Sequence, residues 1–269
     1  MEEAANDTTS SEPPTKKPRN AFTELMQRSP PSSIKPRPSK QIMTKFPRNM
    51  HDVRNHLLPY IEHPETQDRV IRYNDDWVLI RDLYPKSVVH LLLLCRDPAK
   101  YVQHPHAAVS DPVFLSKLRA EAEECLKLAA SELSRIISPH SAACKARRQA
   151  MASESPPDDL PPGRDFIKDF RVGFHAHPSM NHLHLHIISN DSFSESMKHR
   201  KNYTVFHSDA FLQLDQLPLP EGDIRRDVEY QNNQYKVDFV CWRCGRDFGN
   251  KFKLLKDHLE EEFMEWRKE

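Results

Sequence analysis

Apolar residues recur at helical spacing through Met50, Val53, Leu57 and Leu58, just ahead of Pro59 and Tyr60, so order is expected to begin near Phe46 with a helix. Two strands are expected at residues 77–83 and 87–95, joined as a hairpin by the tight Tyr84-Pro85-Lys86 corner. Over residues 111–137 the set Phe114, Leu118, Ala122, Cys125, Leu126, Ala129, Leu133 and Ile136 falls on one face of a long helix. Asp111 stands where that helix needs a cap and Pro112 at its first position. Residues 138–163 are poor in large apolar side chains and rich in Pro, which reads as a loop insertion. Two more strands are expected at residues 166–174, where Phe170, Val172 and Phe174 alternate, and at residues 182–189. Strands, then a helix, then strands predict an α+β core.

Composition changes this picture mainly at the N-terminus. Residues 1–45 contain seven Pro and few large apolar groups, too little burial to offset chain entropy, so a disordered tail is expected. Between Pro13 and Arg48 nine basic residues face one acid, although the whole chain has 39 of each sign and no net charge. Lys16-Lys17-Pro18-Arg19 is a candidate nuclear-import signal, giving the nucleus as the expected location. Phe22, Leu25 and Met26 share one helical face and form a candidate docking segment for a repair-protein partner. The longest apolar run, Val88 to Cys95, is interrupted by His90 and falls well short of the ~20 residues that cross a bilayer. With no apolar signal core at the start, a soluble intracellular protein without a membrane partner is expected. The cysteines number five, two of them in a C-x2-C pair, which favours metal ligation over a disulfide framework.

Two motifs carry chemistry. In His182-Leu183-His184-Leu185-His186-Ile187-Ile188 a strand would set the three imidazoles on one side and Leu183, Leu185 and Ile187 on the other. Packing alone gives no reason to gather three imidazoles on one face. Zinc ligation through His-x-His is the rival to catalysis at this run.

The run resembles the histidine-triad family, whose pattern is His-φ-His-φ-His-φ-φ with φ apolar. Gly173-Phe174-His175-Ala176-His177-Pro178-Ser179-Met180-Asn181, and Asp82-Leu83-Tyr84-Pro85-Lys86 with His90, extend the likeness to the aprataxin branch, in its fungal form, over residues 46–269. That resemblance implies a histidine-triad domain, an antiparallel sheet with helices. It implies that His184 is the nucleophile toward a nucleotide α-phosphate, forming a covalent nucleotidyl-histidine, with His182 and His186 orienting it or binding phosphate oxygens. It further implies that Lys86 contacts phosphate, that Ser179 and Met180 form a phosphate-binding wall, that His90 supports the site and that His175 assists the leaving group. No metal is expected at this centre.

The second motif is Cys241-Trp242-Arg243-Cys244, followed by His258-Leu259-Glu260-Glu261-Glu262. A C-x2-C knuckle points two thiolates at one tetrahedral ion and a helix supplies the remaining ligands, so one structural zinc is expected on Cys241, Cys244, His258 and a glutamate of the same helix. Glu260 and Glu261 stay open as fourth ligands on spacing alone, and the aprataxin resemblance implies Glu262. Phe248 and Leu255 stand where such a ββα-like finger keeps its core. Lys236, Arg243, Arg246, Lys251, Lys253 and Lys256 surround the finger, and Lys198, His199, Arg200 and Lys201 with Tyr203 and Phe206 precede it. Cations mixed with aromatics such as Tyr203 and Phe206 suit a phosphate backbone plus stacking on an exposed base, without reading of base identity, with Lys198 and Lys201 as candidate phosphate contacts.

The expected organisation is therefore a tail over 1–45, a histidine-triad domain over 46–215, and a linker with a zinc finger over 216–269. The aprataxin resemblance implies hydrolysis that removes AMP from adenylated DNA 5′ ends and releases AMP and a 5′-phosphate. The alternatives are a general nucleotide phosphoramidase or dinucleotide hydrolase, and a non-enzymatic DNA-end adaptor.

Overall fold

The computed structural model describes residues 53–269. The basic tail, the segment carrying Phe22, Leu25 and Met26, and Met50 lie outside the described residues. Among the described residues the elements begin with helix α1 (Leu58–Glu62), then strands β1 (Val70–Tyr73), β2 (Trp77–Arg81) and β3 (His90–Cys95). Short helices α2 (Pro98–Tyr101) and α3 (Pro105–Ala108) lead into the long α4 (Pro112–Ile137), followed by α5 (Lys145–Met151). Next come β4 (Phe170–His175), β5 (His184–Ser189), α6 (Arg200–Thr204), β6 (Phe211–Gln213), α7 (Val228–Gln234) and α8 (Phe252–Trp266).

The strands form one antiparallel sheet in the order β1-β2-β3-β5-β4-β6. Strand alternation divides its two faces. Leu79, Leu91, Leu93, Leu185 and Ile187 join the large core beneath α4, while Val78, Ile80, Leu92 and Leu94 pack with Leu57, Tyr60 and Ile61 around α1. Register decides where the histidines go: His184 lies opposite Leu94 and His186 opposite Leu92, so both imidazoles leave the sheet on the α1 face.

Helix α4 matches its expected bounds. The Asp111 carboxylate accepts from the backbone N–H groups of Val113 (2.9 Å) and Phe114 (3.2 Å), capping the first turn with Pro112 inside it. Phe114, Leu118, Ala122, Cys125, Ala129 and Leu133 are buried as the periodicity predicts, with Leu126 and Ile136 only partly so.

Several segments depart from the sequence reading. Residues 166–169, expected to open a strand, form a 3-10 helix whose first turn is capped by Asp165, so β4 begins only at Phe170. The hairpin strands are shorter than expected: Tyr84 N–H donates to Asp82 Oδ1 within the turn (2.7 Å), while Val88 N–H donates to Asp191 Oδ2 (2.9 Å) and Val89 N–H to Ser189 Oγ (3.1 Å). Residues 138–163, read as a loop insertion, contain α5, and their first turns receive the end of α8. Ala142 N–H donates to the Lys268 carbonyl (2.7 Å) and Ala143 N–H to that of Glu269 (3.0 Å). The finger's expected strand pair is a single bridge, Val240 with Asp247, its turns using Gly245 (φ 73°) and Gly249 (φ 54°) in the left-handed region that glycine adopts without a Cβ penalty.

Helix α8 belongs to two cores. Leu255 and Leu259 pack with Phe239, Cys241 and Phe248 of the finger and with Met197 and Tyr203. One turn further on, Phe263 and Trp266 enter the large core beneath the sheet, Phe263 stacked on Phe193 at 4.3 Å.

Gly173 on β4 sits where β6 approaches closely: a Cβ there would stand 2.2 Å from the Leu212 carbonyl oxygen. Because backbone rather than a mobile side chain is in the way, Gly173→Ala is expected to destabilise the fold by about 1–3 kcal/mol, the usual cost of overpacking. Thermal or denaturant unfolding measures it, and an unchanged midpoint would refute the close approach.

Candidate active site and metal centre

A cavity of about 660 Å³ opens on the α1 face. The β2–β3 turn contributes Asp82, Tyr84 and Lys86 to its wall; the strands contribute His90, His175, His184 and His186; the loop before β5 contributes His177, Ser179 and Met180. Leu57, Tyr60, Ile80 and Leu92 form an apolar end, and Lys201, Asn202, Phe206 and Tyr235 close another side.

Hydrogen bonds fix the ring tautomers at the centre. His184 Nδ1 lies 2.7 Å from the carbonyl oxygen of His182, an acceptor only, so Nδ1 carries the hydrogen and Nε2 keeps its lone pair. A separate chain starts from a group that cannot titrate. The backbone N–H of Lys86 donates to His90 Nδ1 (3.2 Å), which leaves the His90 hydrogen on Nε2, where it is donated to His186 Nδ1 at 2.9 Å. The His186 hydrogen is thereby placed on Nε2, a buried atom that has no partner among the described residues. The site therefore presents one imidazole as a lone pair, His184, and one as a donor, His186.

Burial keeps these rings neutral. Desolvation pushes His90 down to about 4, against the pull of Asp82, and drives His175 and His186 well below the ordinary imidazole range. His184 is lowered for the same reason, opposed by its bond to the His182 carbonyl. The covering group is Phe206, whose ring meets those of His90, His175 and His186 at 5.5, 4.7 and 5.4 Å. Lys86 is also lowered by burial, with Asp82 opposing.

Asp82, His90 and His186 lie close enough to share a cation. Yet the facing nitrogens of His90 and His186 are already joined to each other, and Asp82 Oδ2 faces the opposite ring nitrogen of His90, at 3.6 Å. An ion bound there would compete with the hydrogen bond between the two rings. The arrangement is that of a hydrogen-bonded relay.

Of the residues expected from the sequence, His184, His186, His175, Lys86, His90, Ser179, Met180 and Lys201 line the cavity together. Two expected members do not. His182 precedes β5, and its ring packs beside Tyr101 (5.3 Å) outside the main cavity, so its backbone carbonyl rather than its imidazole serves His184. Lys198 is exposed beyond the rim, its N–H donating to Asn202 Oδ1 (3.0 Å). Tyr60, Asn202 and Tyr235 were not singled out in the sequence, because no spacing links them to the triad. Phe206 was read as a partner for bases, and it instead covers the imidazoles.

The finger residues meet as the spacing requires. One ligand atom from each of Cys241, Cys244, His258 and Glu262 lies within 4.8 Å of the others; Cys244 Sγ and Glu262 Oε1 are each 3.1 Å from His258 Nε2. Two sulfurs, one imidazole nitrogen and one carboxylate oxygen at such separations fit tetrahedral zinc, with Glu262 rather than Glu260 or Glu261 as the fourth ligand. The other Glu262 oxygen accepts from Arg243, which also bonds Glu269. Arg243 is thus committed to orienting a ligand and is not one of the cations offered to a phosphate backbone.

A family described as a C2HE / C2H2 / C2HC zinc-binding finger matches residues 207–265, and one described as scavenger mRNA decapping enzyme C-term binding matches residues 150–202. The chain is 34% identical over 250 residues to the aprataxin-like protein of Schizosaccharomyces pombe, covering 93% of this chain and 95% of that one. The chain belongs to the aprataxin family. It is also 36% identical to the aprataxin-like protein of Saccharomyces cerevisiae, over 77% of this chain and 94% of that relative. The aprataxin ortholog Hnt3, solved in complex with DNA, superposes with a TM-score of 0.63 at 35% identity, over 80% of this chain and 96% of that one. A structure of Hnt3 with DNA and guanosine gives the same TM-score at 34% identity, over 80% of this chain and 97% of the other.

Two outcomes follow from the site. A reaction that needs the lone pair of His184 keeps its rate as pH falls until the lowered pKa is reached, so the acid limb of kcat/KM is expected below 6.5, the ordinary imidazole value; a limb at or above 6.5 would contradict the burial argument. Cys241→Ser, or prolonged chelation, is expected to lower the melting temperature by ~10 °C or more, because metal binding contributes directly to folding. Metal analysis alongside calorimetry tests that link.

Proposed function

We propose that this protein removes AMP from the 5′ ends of adenylated DNA, restoring a 5′-phosphate. The observation that carries the reading is the fixed lone pair of His184 Nε2, in a cavity with an apolar end fit for a nucleobase and a lysine, Lys86, fit for phosphate. DNA bound in the solved Hnt3 relatives, with guanosine in one of them, supports a nucleic-acid substrate.

In the first step the His184 Nε2 lone pair forms a bond to the AMP phosphorus. The P–O bond to the bridging oxygen breaks, and its electron pair departs on the DNA 5′-phosphate. The imidazolium so formed is stabilised by its Nδ1–H bond to the His182 carbonyl. His186 Nε2–H and Lys86 donate to the non-bridging oxygens, where charge gathers in the transition state. A phosphate monoester, with a second pKa of about 6, leaves without a strong acid, which suits a His175 held neutral by burial. Water then attacks the phosphorus, the P–N bond breaks, AMP leaves, and the pair returns to His184 as the water proton passes to solvent.

The four ligands of the finger leave no open position on zinc, so the ion's role is structural. Exposed Arg246, Lys251, Lys253 and Lys256 on the finger, with Lys201 at the cavity, offer a sequence-independent track for the phosphate backbone. Repair in the nucleus, with partners recruited through the segment bearing Phe22, Leu25 and Met26, completes the proposal.

The test is AMP release from a nicked duplex carrying a 5′-adenylate. Wild type is expected to turn over, and His184→Ala to lose on the order of 10⁴-fold or more, as when a nucleophile is removed. Tight DNA binding by zinc-loaded wild type without any AMP release would sink the enzymatic reading and leave a DNA-end adaptor.

A further inference from the structure

The cavity has three walls of different chemistry, and the reaction uses two. The apolar end formed by Leu57, Tyr60, Ile80 and Leu92 suits a base, and the imidazoles with Lys86 suit the reacting phosphorus. The third wall is Lys201, Asn202 and Tyr235. Tyr235 reaches it from the far side of the chain, as the residue that ends α7 just before the finger.

Its placement is held firmly. Arg200 Nε donates to the Tyr235 carbonyl (3.2 Å) and Nη2 to those of Lys236 (2.9 Å) and Val237, while the guanidinium lies 4.4 Å over the ring of Phe239 in the finger core. The neighbouring residue on α6, Lys201, sets its Nζ 4.9 Å from the centroid of the Tyr235 ring. Tyr235 is half-buried, and its phenol is pushed up by desolvation. Among the described residues its hydroxyl makes no hydrogen bond, so internal bonding does not explain its position. A rigid aromatic beside a cation on a cavity wall is the combination that holds a nucleotide by ring contact and phosphate charge.

We propose that Tyr235 determines specificity for the leaving group: its ring packs against the terminal nucleoside of the strand that departs from the adenylate, with Lys201 on that strand's phosphate. The inference rests on the reaction proposed above. It predicts discrimination between an AMP joined to a nucleic-acid strand and an AMP joined to a small group that cannot span to the third wall.

Two substrates read this out: the nicked duplex with a 5′-adenylate, and adenosine 5′-phosphoramidate, whose leaving group is ammonia. The ratio of kcat/KM for the duplex over the phosphoramidate is expected to fall about tenfold in Tyr235→Ala and in Tyr235→Leu, mostly through KM, and to stay within about twofold in Tyr235→Phe. The leucine variant keeps bulk at the position, and zinc content with melting temperature verifies the fold of each. A ratio unchanged in both Tyr235→Ala and Tyr235→Leu would overturn the proposal. Binding of the adenylated duplex in a His184→Ala background, which needs no turnover, gives an independent reading: about tenfold weaker binding on adding Tyr235→Ala supports it, and equal binding refutes it. An inactive wild type would instead refute the proposed reaction.

Discussion

The antiparallel register of β5 against β3 is the constraint on which the site depends. With His186 opposite Leu92 and His184 opposite Leu94, the two imidazoles share a face with Ile80 and the α1 residues, while Leu185 and Ile187 fill the core under α4. A slip of one residue would exchange these sets, burying imidazoles under α4 and emptying the cavity of its chemistry. The apolar residues therefore place the reactive ones. The leucine-rich β3, buried along its length, offers apolar partners to both sets.

Given that register, proton positions follow from backbone groups. The Lys86 N–H and the His182 carbonyl have fixed donor and acceptor character at any pH, and each assigns the hydrogen of the ring it meets. Phe206 supplies the complementary condition by excluding water, so that the rings stay neutral. The turn bearing Lys86 is held in turn by the chain after β5. Ser192 N–H donates to Ser87 Oγ (3.2 Å), Ser194 Oγ to the Pro85 carbonyl (2.5 Å), and buried Asp191 accepts from Val88 N–H. Those residues bear no motif, yet they determine where Lys86 stands on the cavity wall.

Long periodic elements were legible in the sequence: α4 with its cap, the β2–β3 hairpin, and β5 with its histidines all follow from side-chain period and burial. β1 and the three-residue β6 were not, because strands so short carry too few alternations to stand out. Helix α5 buries none of its side chains, so it leaves no apolar face to detect in a segment that otherwise reads as loop. At the site, the triad pattern led to His184 and His186, which line the cavity, and to His182, whose ring lies outside it because the strand begins two residues later than the pattern. Spacing picked out Cys241, Cys244 and His258 in the finger but left the fourth position open among three glutamates. Tyr235, and the commitment of Arg243 to Glu262, depend on contacts between segments distant in sequence, which no periodicity encodes.

The double membership of α8 has a consequence for how this architecture can be divided. His258 and Glu262 face the ligand cluster, while Phe263 and Trp266 sit under the sheet, with Arg164 donating to the Trp266 carbonyl (2.7 Å). Excising the finger would strip apolar groups from the catalytic half and leave Phe193 without its stacking partner. The two halves share this helix, so parting them would expose apolar surface on both. A change at the ligand cluster that shifts α8 is therefore felt beneath the sheet, because one helix carries both sets of side chains.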